Sequence, residues 1–197
     1  MLHRRREQSV SARPLYAKKK TKVYKERNEE IRQAYRKKIE KIPAETLIYV
    51  DETGIDECLH RDKGRAKRGI KIYGSVSGRK YKRTNIVAAL ICGQMLAPME
   101  YEGATDHYVF ETWFEHVLPA QLPQGHVIVM DNASFHRKKI LWKMASQAKC
   151  EIVFLPAYSP DLNPIEKRWA NLKSFLRNYA YRFQHIQDAI TDYFQVK

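Results

Sequence analysis

Cysteine is scarce: the chain of 197 residues has only Cys58, Cys92 and Cys150, far apart and without a C-x-x-C spacing. That excludes a disulfide framework and a cysteine zinc site, and the three read as reduced, mostly buried thiols. Long apolar runs are missing too. The longest, IVAALICGQMLAP at residues 86–98, is shorter and more interrupted than the roughly 20 residues a membrane span needs. No basic segment followed by an apolar core opens the chain, so the expected location is the cytoplasm, without a membrane partner. None of the seven histidines stands three or four residues from another, which leaves no helical His pair for a metal. Internal repeats are absent. Acids are in deficit, 22 against 36 Lys and Arg, for a net charge of +14.

What is present starts with the placement of that charge. Residues 1–41 hold 15 basic and 5 acidic side chains, and residues 61–83 hold 10 and 1, so the rest of the chain is net acidic. A near-neutral body with two detached basic segments suits a polyanion, because each neutralised phosphate releases counterions. DNA is the leading partner, although a merely solvated charge run has the same composition. Ten residues are the candidate DNA contacts of the second segment: Arg61, Lys63, Arg65, Lys67, Arg68, Lys71, Arg79, Lys80, Lys82 and Arg83. With 44% hydrophobic residues and a mean hydropathy of −0.59, the chain can bury one core and stay in water.

The first twenty residues carry no apolar period and read as an arm. Tyr24, Ile31, Tyr35 and Ile39 recur near 3.6 residues and predict a helix over 21–41, apolar on one stripe and basic behind, stopped by Pro43. Short β-rich runs follow at 46–51, 84–93 and 95–103, the last two joined at Gly93-Gln94. Thr105-Asp106 caps a helix over HYVFETWFEHVL, residues 126–131 form a strand, and Ser134 starts a helix through Lys149. A strand at 151–156, a helix opened by Asn163-Pro164 and another near 183–195 complete a β-β-β-α-β-α-β-α order. The expectation is a mixed α/β layer, five strands flanked by helices, with a basic insertion at 52–83.

Asp51 closes the first apolar run and Asp131 closes another, and the carboxyl ends of strands are where open α/β sheets build ligand sites. Singly, each acid reads equally as a solvent-exposed strand end or a helix cap. Glu166 has its own rival: Asn163 as N-cap, Pro164 at the first helical position and Glu166 at the third form a variant capping box. The Pro-punctuated YSPDLNP before it, however, pins that helix start in place, which a metal ligand needs and a cap does not. Three carboxylates make a hard, all-oxygen site suited to Mg²⁺ or Mn²⁺. Two such ions about 4 Å apart can activate a water or a 3′-hydroxyl for in-line attack on a phosphodiester. Glu52, Asn132, His136, Ser159 and Asn163 are candidates to support the acids or touch DNA, and none of the twelve tyrosines is marked as an activated nucleophile.

IYVDETG (48–54), VIVMDNASFH (127–136) and LPAYSPDLNPIEKRWANLK (155–173) resemble the three signatures of the DDE transposases of the mariner-like superfamily, in its bacterial insertion-sequence branch. The 34 residues between Asp131 and Glu166 match the spacing that superfamily uses when its third acid is Glu, and the likeness covers about residues 46–180. The resemblance implies a ribonuclease-H-like catalytic domain over 46–197, preceded by a basic arm and linker helix over 1–45. It implies that Asp51, Asp131 and Glu166 bind two Mg²⁺ ions, cut DNA at transposon terminal inverted repeats and join the 3′-hydroxyl to target DNA, with TA as the suggested target. It also likens residues 52–83 to a clamp loop serving a homodimer, in a nucleoid-associated bacterial protein.

One departure stands out. Such enzymes find their ends through N-terminal helix-turn-helix modules, and this sequence has only an arm and one basic helix ahead of Asp51. A truncated chain, or a second reading frame whose helix-turn-helix portion comes from an upstream frame, accounts for that. Two other readings stay open. A ribonuclease H or junction resolvase on the same fold would use a further acid from the first helix after the meander, where Glu111 and Glu115 sit. A DNA-binding remnant would keep the fold without turnover.

Overall fold

The computed structural model describes residues 24–56, 66–67, 69–74, 82–122 and 124–195. Of the candidate DNA contacts, Arg61, Lys63, Arg65, Arg68, Arg79 and Lys80 lie outside that set, as does Cys58.

The strands are β1 (Leu47–Asp56), β2 (Arg83–Ile91), β3 (Gln94–Glu102), β4 (Val127–Met130) and β5 (Glu151–Phe154). They form one sheet in the order β3-β2-β1-β4-β5. The β1–β2 and β2–β3 pairs are antiparallel, and β1–β4 and β4–β5 are parallel. A meander thus supplies half the sheet and two crossovers the other half, which is the mixed five-stranded, ribonuclease-H-like arrangement expected.

Strand parity sorts the side chains into two layers. Ile48, Val50, Val87, Ala89, Ile128 and Met130 point to one face. They are covered there by α2 (His107–Thr112), its π-helical continuation Trp113–Val117, and α3 (Lys138–Gln147). Leu47, Ile55, Ile86, Ala88, Leu90, Val127 and Val129 point to the other, under α1 (Glu29–Ile39), α4 (Ile165–Tyr179) and α5 (Ile186–Gln195). Trp113 and Trp169, one in each layer, are almost fully buried. Truncating either to Ala would cost roughly 3–5 kcal/mol. β3 bulges opposite β2 at Ala97-Pro98, and the kink is held by two side chains. Trp113 Nε1 donates to Ala97 O at 2.7 Å, and Ala97 N donates to Gln121 Oε1 at 3.0 Å. A bulge is where a strand tolerates proline.

Four expectations need correction. The first helix begins at Glu29, where Asn28 Oδ1 accepts the Ile31 N–H at 3.1 Å and caps it, so residues 24–28 of the expected span are not helical, and residues 21–23 lie outside the described set. Its buried side is Arg32 and Tyr35, while Ile31 is exposed, so a charged residue takes a slot the apolar period assigned to Ile31. The β2–β3 turn is Cys92-Gly93, both with positive φ, one residue earlier than Gly93-Gln94. The helix placed from Ser134 begins only at Lys138, after a loop that carries His136.

Candidate active site

Asp51 does not end β1. The strand runs on to Asp56 along β2, and what ends near Asp51 is its pairing with β4, whose last partner is Tyr49↔Val129. Because Leu47 faces Val127 in register, four residues further along each strand bring Asp51 level with Asp131, just past the end of β4. Both have the parity of Leu47 and Val127, so both lean toward the layer that holds α4. Glu166 stands in the first turn of that helix. All three carboxylates line one open cleft of about 460 Å³, with Asn132, Ser159, Asn163, Tyr24 and Tyr158 on its walls.

The capping box does not form. The first turn of α4 has no side-chain cap, and the buried Asn163 Oδ1 has no hydrogen-bond partner. Glu166 therefore has no part in holding its own helix, and its exposed side chain is available to the cleft. The other two acids are fixed by donors. Trp169, one turn after Glu166, donates from Nε1 to Asp51 Oδ2 at 3.1 Å, and the Ala133 N–H donates to Asp131 Oδ1 at 3.0 Å. Trp169 was legible only as part of an apolar stripe. A buried indole must find an acceptor, and position i+3 from Glu166 puts it on the site's side of the helix.

Glu52 has the opposite parity and turns to the other face, where His136 meets it. His136 Nε2 is 3.6 Å from Glu52 Oε1, and its Nδ1 is 3.4 Å from Asp131 Oδ1. The imidazole, packed on Phe110 at 4.4 Å between ring centres, sits behind Asp131 and does not line the cleft. Ser159 donates to Ala157 O at 3.0 Å and braces the loop before α4. Asn132 is exposed at the cleft rim.

Among the described residues the site is short of positive charge. Burial pushes the Asp51 carboxyl up to about 8, with Glu52, Glu166 and Asp131 adding repulsion. Burial also raises Glu52, opposed by His136, and raises Glu166, opposed by Lys173 and reinforced by Asp131. Among the described residues no group of three or more His, Cys, Asp or Glu side chains is already assembled to hold an ion. The donor chemistry nevertheless fits an oxygen-preferring dication: three carboxylates, no nitrogen or sulfur, with Glu166 and Asp131 disfavouring the ionised form of Asp51 and Asp131 that of Glu166.

Glu111 and Glu115, candidates for a further catalytic acid, are placed elsewhere. Glu111 is buried and takes two bonds from Arg137, one from Nε at 2.8 Å, which hold its carboxyl below the usual range. Glu115 is beside His116 on the surface. Of the described basic candidates, Lys67, Lys71, Lys82 and Arg83 are all exposed, Lys82 paired with Glu102 and Arg83 donating to Asn85.

The family described as DDE superfamily endonuclease has a sequence model that matches residues 46–188. The chain belongs to that family. All five strands and the α4 helix lie within the matched residues, and solved structures agree on the fold. The Mos1 transposase paired-end complex with left transposon end superposes with a TM-score of 0.72 at 16% identity, covering 93% of this chain and 60% of that one. The Mos1 strand transfer complex gives 0.71 at 16%, covering 93% and 59%. The Mos1 catalytic domain with Raltegravir and Mn gives 0.56 at 15%, covering 86% and 78%. This DDE endonuclease therefore spans about 60% of the full Mos1 chains it resembles. No curated protein matches it at the sequence level.

Proposed function

We propose that this DDE endonuclease is the catalytic part of a transposase of the mariner-like superfamily, bacterial insertion-sequence branch. It would cut DNA at transposon terminal inverted repeats and transfer the freed 3′-hydroxyl to target DNA, with TA as the expected target. The observation that carries the reading is the convergence of Asp51, Asp131 and Glu166, from two strands and a helix, on one open cleft. The family and a fold shared with Mos1 transposition complexes support it.

Asp51, Asp131 and Glu166 would hold two Mg²⁺ or Mn²⁺ ions, which supply an activated water or 3′-hydroxyl and neutralise charge at the phosphorus. Trp169 and the Ala133 N–H each hold one carboxylate oxygen, so the acids meet the substrate in a set orientation. Phosphates are steered by basic side chains of residues 61–83, the segment we expect to act as a clamp loop in a homodimer. End recognition would come from a helix-turn-helix portion made from an upstream reading frame, in a cytoplasmic, nucleoid-associated protein. A ribonuclease H or resolvase reading is less favoured, because Glu111 is engaged by Arg137, Glu115 stands beside His116 on the surface, and neither lines the cleft.

With Mg²⁺ or Mn²⁺ the protein should nick duplex oligonucleotides and join 3′ ends to a second duplex. Asp131→Ala should abolish both and keep salt-sensitive DNA binding. Equal nicking by the variant would sink the mechanism, and binding without nicking by either protein would favour a non-catalytic DNA-binding role.

A further inference from the structure

Among the described residues Arg32 is the one charged side chain in the set of largest fully buried ones, and it lies on the helix that precedes β1. Its Nη1 and Nη2 donate to Asp161 Oδ1 and Oδ2 at 3.0 and 2.7 Å, across 129 residues of sequence. Two parallel bonds from a planar guanidinium fix orientation as well as distance. The contact is reinforced around its edge. Arg27 Nη2 is 3.7 Å from Asp161 Oδ2, and the Tyr24 ring rests 5.6 Å from that of Tyr158. Asp161 belongs to a short 3-10 turn, Pro160–Leu162, and the chain from there to Glu166 has only Asn163, Pro164 and Ile165 to absorb any movement. Beyond the Arg32 fork, the side-chain hydrogen bonds of this stretch stop at Ser159 to Ala157 O, since Asn163 Oδ1 is unpaired and α4 has no side-chain cap.

We infer that Arg32 is a positioning residue for the third carboxylate: through Asp161 it locks the turn that sets where Glu166 stands in the cleft. This rests on the proposed role of Glu166 as a metal ligand. The helix that reads as a basic linker is then a strut of the active site. Arg32 is buried but Asp161 is half exposed, and an ion pair with one partner in water is a poor source of stability, so a pair retained for stability alone could be replaced with little loss. A pair retained for geometry could not.

That difference sets the test. Arg32→Met, Asp161→Asn and the double variant are compared with the whole chain by thermal melting, by hydrogen exchange of the amides of residues 159–166, and by Mn²⁺ affinity from electron paramagnetic resonance. Asp161→Asn strips the buried guanidinium of its fork, leaving it only Glu29 at 3.4 Å, and should melt lower, whereas Arg32→Met leaves a half-exposed carboxylate beside Arg27 and should melt little changed. In the double variant the melting midpoint should return most of the way, while exchange at 159–166 stays at least roughly tenfold faster and Mn²⁺ binding roughly tenfold weaker, the usual effect of losing a partner that orients a ligand. Arg32→Lys, which keeps the charge and loses the fork, should fall between and serves if the Met variants do not fold. Exchange and Mn²⁺ affinity within twofold of the original in the double variant, or in Arg32→Lys when only that variant folds, would overturn the inference. If the unaltered protein binds no Mn²⁺, the metal-ligand role of Glu166 fails instead, and the exchange of residues 159–166 alone decides whether Arg32 holds the turn.

Discussion

Ionising Asp51 opposes folding of the metal-free protein. Its pKa of about 8 in the folded protein stands above the ordinary 3.8, so between those values the folded chain keeps a proton that the unfolded chain has released. Stability then falls as pH rises. The thermal midpoint of the metal-free protein should drop by roughly 3–10 °C from about pH 5 to about pH 8. Asp51→Asn should flatten that slope and raise the midpoint at the upper end, and added Mn²⁺ should do the same for the unaltered protein. A midpoint that rises with pH, or a slope unchanged in Asp51→Asn, would place the charge elsewhere. The tension is of the kind that marks functional sites, where like charges are held together against folding.

At the scale of elements, the β2–β3 hairpin carries a local conflict. Cys92 has φ of 47° beside Gly93 at 81°, a two-residue turn whose first position favours Asn or Gly over a side chain such as Cys. Cys92→Asn should stabilise by about 0.5–1 kcal/mol, a rise in melting midpoint of roughly 1–4 °C, with cleavage unaltered. Period-2 alternation and turn residues made the strands legible in sequence, with their order, because those signals are local. That β1 runs on past Asp51 is not legible, because it continues only along β2, and nothing within a strand reveals which neighbour stops first. Glu166 was legible as a candidate ligand through the prolines before it, whereas its capping alternative fails on the orientation of one amide, Asn163. The late start of α3 follows from the loop that turns His136 inward, again a matter of tertiary contact.

For the whole molecule, α1 completes a core layer. Tyr35 and Ile39 cover Leu47, Val127, Val129, Val153 and Leu155, and a chain starting at Ala44 would leave that surface to water. It should lose roughly 3–5 kcal/mol by urea unfolding and tend to associate. Arg32 and Asp161 escaped the sequence entirely, since no spacing rule links residues 129 apart. The equal offsets of Asp51 and Asp131 from the paired Leu47 and Val127 also bear on inheritance. Losing or gaining one residue inside either strand sends its acid through the sheet to the helix layer opposite. Descendants of this gene can vary freely in length between strands, but within 47–51 and 127–131 length change is filtered as strictly as a change of the acids themselves.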